Sequence, residues 1–402
     1  MIRIGSMCSG FGGLDEGAES AFGGRVAWHS ESSESASAIL KYRYPDVPNH
    51  GDLTAFDWSR AECVDLLCIG FPCQPFSAAG LRRGAADERH LFPHIVQAIE
   101  AMPQRPTLIA IENVMNLVSI QGGAVWAYVL GELERLGYGG RWNIVPAAAV
   151  GAPHLRRRVF LLAGLGRPGG FTRHPQRFGK TGYPLFKTPT AQLGTNGGSQ
   201  HPDKRRRGGH GPTLDDEVSH LLPTPRTSES RGVGQRGLDP AYSKGHDLRT
   251  AIALLPTPRA TDGVNGGPNQ RGSKGDYALP GAAVQLLPTP TVQNWHGNER
   301  NGRGELLLPG AVLVQDWDRF EPAIRRWEAI TGVPAPLPTV PGTRSNRVLS
   351  PAFAEWMMGA APGHITDVPG LSRAQQLTAI GNGVVSQQAA YALRSLLTGK
   401  VE

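Results

Sequence analysis

The chain has 402 residues, 40% of them hydrophobic and 19% charged, enough to bury a sizeable core and to form more than one domain. Its four cysteines all lie within the first 73 residues, and no apolar run approaches the roughly 18 residues of a membrane helix, so a disulfide scaffold and a helical membrane span are both excluded. No signal-peptide pattern is visible at the start, and a protein of a reducing, cytoplasmic compartment is expected. The net charge of +7 is unevenly spread: residues 1–164 hold 14 Lys and Arg against 16 Asp and Glu, residues 165–309 hold 19 against 11, and residues 310–402 hold 8 against 7. The basic excess therefore sits in the middle of the chain, where it fits a segment facing a polyanion; an arginine-rich solvated surface is the alternative. Cys63, Cys68 and Cys73 are spaced five apart, without the paired short spacings of a zinc ribbon, and no metal is expected.

In chain order, Ile2-Arg3-Ile4-Gly5-Ser6-Met7 reads as a strand entering the glycine-rich turn Cys8-Ser9-Gly10-Phe11-Gly12-Gly13, with a helix over Asp15 to Phe22. Such a turn lets a ligand approach the backbone and offers it unpaired helix amides. Arg25 to Glu31 reads as a second strand ending in an acid, placed where a carboxylate accepts hydrogen bonds from a ribose, and a helix follows to about Tyr42. Val64 to Ile69 is a short buried strand. Just past it lies Gly70-Phe71-Pro72-Cys73-Gln74-Pro75-Phe76-Ser77, in which two prolines stiffen a loop carrying a potentially nucleophilic thiol. Residues 80–88 read as a polar, glycine-containing loop and a candidate lid, Leu91 to Ala101 has helical periodicity, and Leu108 to Ile111 reads as another strand, ending at Glu112-Asn113. A carboxylate and a thiol at the ends of two strands of one sheet can face the same substrate. Helix Ala124 to Leu136, a strand near Trp142 to Val145, the cluster Arg156-Arg157-Arg158 and a terminal strand Val159 to Ala163 complete a doubly wound α/β domain.

From residue 164 glycine and proline become frequent, and Leu221-Leu222-Pro223-Thr224-Pro225 recurs at Leu254 to Pro258 and at Leu286 to Pro290, with Lys187-Thr188-Pro189 as a degenerate earlier copy. The units either stack on one another or on the main domain, or form a low-complexity linker. Arg205-Arg206-Arg207 falls in this region. The tail resumes ordered chain: a helix Phe320 to Thr331, a Ser-capped helix at Ser350-Pro351, a Gly381-Asn382-Gly383 turn and an Ala-rich helix Ser386 to Leu397.

The Gly-Phe-Pro-Cys-Gln-Pro-Phe-Ser loop resembles the nucleophile loop of the cytosine-5 DNA methyltransferase family, and the other motifs follow in that family's order over residues 1–163 and 345–397. The resemblance implies a Rossmann-like S-adenosylmethionine-dependent methyltransferase domain, a variable target-recognition region over 164–344, and a segment 345–402 returning to the first domain. It implies S-adenosylmethionine held by Ser9, Gly10, Phe11, Gly12, Gly13, Glu31, Asp52, Pro72, Leu91, Gly381 and Asn382. Cys73 would be the nucleophile, Glu112 the acid on the base, and Arg156 and Arg158 cations orienting it, with Gln74, Ser77, Arg205, Arg206 and Arg207 on DNA. Double-stranded DNA is the implied partner of a monomer, with a cognate restriction endonuclease, where one exists, acting separately. The tandem Leu-Pro-Thr-Pro units look like those of phage-borne cytosine methylases. Cys8 stands where the family usually has an aromatic residue, His154 where it usually has Gln, and Val385-Ser386 where two prolines are common. The rival readings are an inactive DNA-binding relative, against which Cys73, Glu112 and Arg158 stand, and a cysteine hydrolase, whose histidine partner motif is missing.

Overall fold

The computed structural model describes residues 1–72, 91–167, 169–176, 178–194, 199–200, 202–207, 211–219, 317–341 and 347–399. Cys73, Gln74, Ser77, the polar lid and the three Leu-Pro-Thr-Pro copies lie outside the described residues. The chain divides into two compact units, Met1–Val218 with Arg319–Glu402, and Ser219–Asp318. The first unit thus takes in residues 164–218 and 319–344, which the sequence reading assigns to the variable region.

The first unit is built on a seven-stranded sheet in the order β2-β1-β3-β4-β6-β5-β7. Strands β1 (Arg3–Met7), β2 (Arg25–Ser30), β3 (Leu66–Ile69) and β4 (Leu108–Val114) are parallel. Strand β6 (Arg157–Leu165) runs antiparallel to both β4 and β5 (Tyr138–Pro146), and the short β7 (Phe171–Arg173) pairs parallel with β5. The chain leaves β1 for β2 on one side and returns to β3 on the other. The strand order reverses there, and in such sheets the crevice at the carboxyl ends beside that switch point takes the ligand.

Helices cover both faces, which explains why β3, Leu66-Leu67-Cys68-Ile69, is apolar throughout rather than alternating. Leu67 and Ile69 face a core with Met7, Ile109 and Ile111, closed by Ile95 and Ile99 of α3 (Leu91–Ala101) and by Val129 and Leu133 of α4 (Ala124–Arg135). Leu66 and Cys68 face the other core, with Ile4 and Ala110, closed by Leu14 and Ala18 of α1 (Gly13–Phe22) and by Leu393 and Leu396 of α10 (Ser386–Thr398). The two ends of the chain therefore pack together. At Gly13 a Cβ would stand 2.1 Å from the carbonyl oxygen of Val384, so only glycine permits that approach.

The remaining described elements are α2 (Glu34–Arg43), the short α5 (Pro202–Arg207) and α6 (Leu214–Val218), α7 (Glu321–Thr331), the hairpin β8 (Thr339–Pro341) and β9 (Arg347–Leu349), α8 (Pro351–Met357) and α9 (Arg373–Asn382). Ser350 caps α8 by accepting from the Phe353 amide at 3.4 Å, with Pro351 in the first turn, as its sequence predicts. One expectation is corrected: Gly381 and Asn382 are the last two residues of α9, not a free turn. That helix starts at a capping box, Ser372 with Gln375, whose reciprocal side-chain and backbone bonds hold it far enough to carry Gly381 despite glycine's low helix propensity.

Candidate active site

Glu112 lies near the carboxyl end of β4, and the antiparallel register sets Val114 opposite Arg158 of β6. Arg158 Nε approaches Glu112 Oε1 to 2.9 Å, and both side chains are largely buried. Burial pushes the Glu112 carboxyl above the usual carboxylate range, opposed by the positive charges of Arg158 and Arg156. The site thus holds a buried carboxyl whose proton affinity is raised, beside a cation that fixes its orientation. The adjacent Asn113, itself buried, donates from Nδ2 to the Phe71 carbonyl at 2.8 Å. This ties the end of β4 to the chain two residues before Cys73.

Arg156 is 3% exposed and takes a positive φ of 27°. Its guanidinium donates to the carbonyls of Pro189 at 3.2 Å, Gly381 at 3.1 Å and Gly383, and its amide donates to Thr188 Oγ1 at 3.2 Å. Arg156 thus joins β6, the degenerate repeat copy at Lys187–Pro189 and the end of α9, while lining the same cavity as Glu112 and Arg158. Its backbone carbonyl in turn accepts from Gln388 Nε2 at 2.8 Å, a fully buried side chain of α10 that also donates to Val145. His154, also fully buried, lies 3.0 Å from the Met357 carbonyl through Nε2; burial and the nearby Arg156 push its pKa down to about 3, so the ring is neutral.

The opposite end of the cavity belongs to β1, β2 and the loop after β2. The Glu31 carboxylate accepts from the Gly10 amide and from the Ser33 amide, each at 2.8 Å. Asn49 holds the Glu31 backbone from both sides, accepting from its amide at 2.9 Å and donating to its carbonyl at 3.1 Å. Asp52 is held below the usual carboxylate range by hydrogen bonds from the Thr54 amide and hydroxyl, and stays ionised. The Cys8 thiol is pushed up to about 12 by burial and by the charges of Glu31 and Asp52, which makes it a neutral wall and not a nucleophile.

The cavity measures about 840 Å³. Gly10, Phe11, Glu31, Asp52, Pro72, Leu91, Gly381 and Asn382 all line it, together with Glu112, Arg156 and Arg158. Ser9, Gly12 and Gly13 stand behind that lining: the Ser9 hydroxyl donates to the Ser6 carbonyl at 3.2 Å, the Gly12 amide to the Ser9 carbonyl at 3.0 Å, and Gly13 makes room for Val384. A nucleoside-sized ligand fits this volume and donor set, since strand-end carboxylates suit ribose hydroxyls and a cationic group while Phe11, Leu53 and Leu91 offer apolar surface. Arg205 of α5 is ion-paired to Asp216 of α6, and Asp216 also accepts from the Gln200 and Thr213 amides at 2.7 Å each, so Arg205 is engaged in local structure; Arg207 is exposed, and the Arg206 side chain is outside the described residues. No cluster of metal-ligating residues occurs among the described residues.

Asn49, Asn113, Pro189 and Gln388 were not singled out from the sequence as site residues. Asn49 and Asn113 carry a weak local signal, a polar amide close to a strand-end carboxylate. Pro189 and Gln388 carry none, because their partners lie 33 and 232 residues away.

A mostly parallel seven-stranded sheet, covered by helices on both faces and opening its crevice beside the β1/β3 switch, is the doubly wound α/β arrangement expected from the sequence. Residues 2–180 match the model of the C-5 cytosine-specific DNA methylase family. The type II methyltransferase M.NlaX of Neisseria lactamica is 32% identical over 181 residues, 45% of this chain and 57% of that protein. M.NgoMIV of Neisseria gonorrhoeae is 35% identical over 158 residues, 39% and 50% of the two chains. M.BsuFI of Bacillus subtilis is 32% identical over 154 residues, 38% and 37%. The chain thus spans about half the length of the curated relatives it matches.

Proposed function

We propose that the protein transfers a methyl group from S-adenosylmethionine to carbon 5 of a cytosine in a specific double-stranded DNA sequence, through covalent addition of Cys73 to carbon 6. The observation that carries this reading is the pairing of Glu112, raised by burial, with Arg158 at one end of a cavity whose other end presents Glu31 and Asp52. The tie from Asn113 to Phe71 supports it, because it anchors the root of the thiol-bearing loop to the same strand end.

In this reading the cytosine leaves the base stack, at a cost of a few kcal/mol offset by protein contacts, and enters beside Glu112. The Cys73 thiolate adds its electron pair to carbon 6 while Glu112 donates a hydrogen bond or proton to the ring nitrogen, so the charge pushed into the ring is neutralised there. Arg158 holds the carboxyl in place. Carbon 5 thereby becomes the nucleophile. When bound, S-adenosylmethionine supplies an electrophilic methyl group on a sulfonium. Loss of the carbon 5 proton to a base then returns an electron pair to the ring and expels the thiolate, and Glu112 recovers its proton. Gln74, Ser77, Arg206 and Arg207 contact the DNA, and the basic middle region binds phosphates. The protein acts as a monomer in the bacterial cytoplasm, without a metal, alone or beside a separate restriction endonuclease.

Duplex DNA carrying 5-fluorocytosine at the target blocks the final proton loss, and the wild type with S-adenosylmethionine should leave a covalent protein–DNA adduct that Cys73→Ala does not form. Bisulfite-type mapping of DNA from expressing cells supplies the target sequence. Absence of adduct and of methylation in the wild type would make the protein an inactive DNA-binding relative.

A further inference from the structure

Among the described groups that the proposed chemistry leaves unused, one set connects the far end of the chain to the glycine-rich loop. Glu355 of α8 is 1% exposed, and its carboxylate accepts from the amides of Gly363 at 3.1 Å, Ile365 at 2.5 Å and Thr366 at 3.0 Å, and from the Thr366 hydroxyl at 2.9 Å. Four donors on one buried carboxylate fix the turn between α8 and α9. That turn presents His364, itself 1% exposed. Its Nε2 lies 3.0 Å from the carbonyl oxygen of Phe11, its Nδ1 lies 3.4 Å from Glu16 Oε1, and its ring meets the Phe11 ring edge-on at 5.5 Å. Phe11 is packed again from Gly383, where a Cβ would fall on the ring, so the residue is held from two sides by the C-terminal chain.

The proton count follows from the partners. A carbonyl oxygen only accepts, so Nε2 carries a hydrogen. The geometry points to His364 as a positioning residue for the S-adenosylmethionine site: donating from Nε2 and packing its ring against Phe11, it fixes the Phe11 carbonyl and so the shape of the Gly10–Phe11 wall of the cavity. This rests on the reading of that wall as part of the cofactor site.

Calorimetric titration of the full chain with S-adenosylmethionine, without DNA, tests this. His364→Ala should weaken binding about tenfold while duplex DNA binding is kept. His364→Gln, whose amide can donate to the Phe11 carbonyl, should recover most of the affinity. Wild-type affinity in His364→Ala overturns the inference, as does a loss in His364→Gln as large as in His364→Ala. A wild type that binds DNA but no S-adenosylmethionine overturns instead the reading of the cavity. Should His364→Ala not fold, His364→Phe, which fills the space without a donor, decides: it should bind about tenfold more weakly than His364→Gln, and equal affinity overturns the inference.

Discussion

The two ends of the cavity push their carboxylates in opposite directions. At the β1–β2 end, Asp52 is mostly open to solvent and Thr54 donates two hydrogen bonds to it, so its charged form is favoured. At the β4–β6 end, Glu112 is enclosed, and desolvation outweighs the two arginines beside it. The same functional group is therefore pushed toward its charged form at one end and toward its protonated form at the other, and burial is what separates the two directions.

The largest test of that contrast falls on the buried end. Glu112→Gln keeps size and hydrogen-bonding shape but cannot give up a proton, and methyl transfer measured with saturating DNA should fall by about 10²- to 10⁴-fold while S-adenosylmethionine binding is kept. Near-normal turnover would remove Glu112 from the chemistry. A smaller effect is expected at the rim. Glu31→Ala removes the acceptor of the Gly10 and Ser33 amides and an acceptor facing the cavity, and should weaken S-adenosylmethionine binding by about tenfold in calorimetry with little change in turnover at saturation. If turnover falls and affinity does not, the two ends have been assigned the wrong way round.

The smallest effect is on stability, and its sign separates the two ends. Glu112 has a folded pKa above its unfolded value, so its contribution is fully present below the ordinary carboxylate value and is lost as pH rises through the folded pKa. Asp52 has a lowered folded pKa, so its contribution is present above the ordinary value and is lost as pH falls through the folded pKa. Urea midpoints across pH 2 to 8 should therefore show wild type losing stability relative to Glu112→Gln as pH rises, and relative to Asp52→Asn as pH falls below the ordinary carboxylate value. Parallel curves for wild type and Glu112→Gln would mean that Glu112 is not desolvated.

Much of the fold was legible because local patterns and tertiary packing agree. The continuous apolar run at β3 needs covered faces on both sides, and the amphipathic stripe Ile95, Val96, Ile99 marks α3 at its observed bounds. Gly381-Asn382 was misread because two glycines around an asparagine look like a turn, whereas the capping box nine residues upstream of Gly381, at Ser372, starts a helix that runs through them. The glycine-rich loop was read as one ligand-binding surface. The structure divides it: Gly10 and Phe11 face the cavity, while Gly13 yields its space to the carbonyl of Val384. Arg156 was read as a cation for substrate, yet its donors already meet three carbonyls from two other segments.

The sequence by itself determined which groups are present and which strand ends carry them, because strand formers, turn glycines and prolines act over a few residues, and a strand end inherits its position from its strand. Glu31 and Glu112 could be placed on those grounds, whereas Asp52 and Arg158 came from the family resemblance. Only the tertiary structure decided the supports of these groups and the opposite shifts of Glu112 and Asp52, because burial and hydrogen bonding depend on what packs nearby and not on what is adjacent in the chain. The Arg158 that meets the buried Glu112 carboxyl needs the antiparallel return of β6. The shape of the Phe11 wall needs a histidine 353 residues further along the chain.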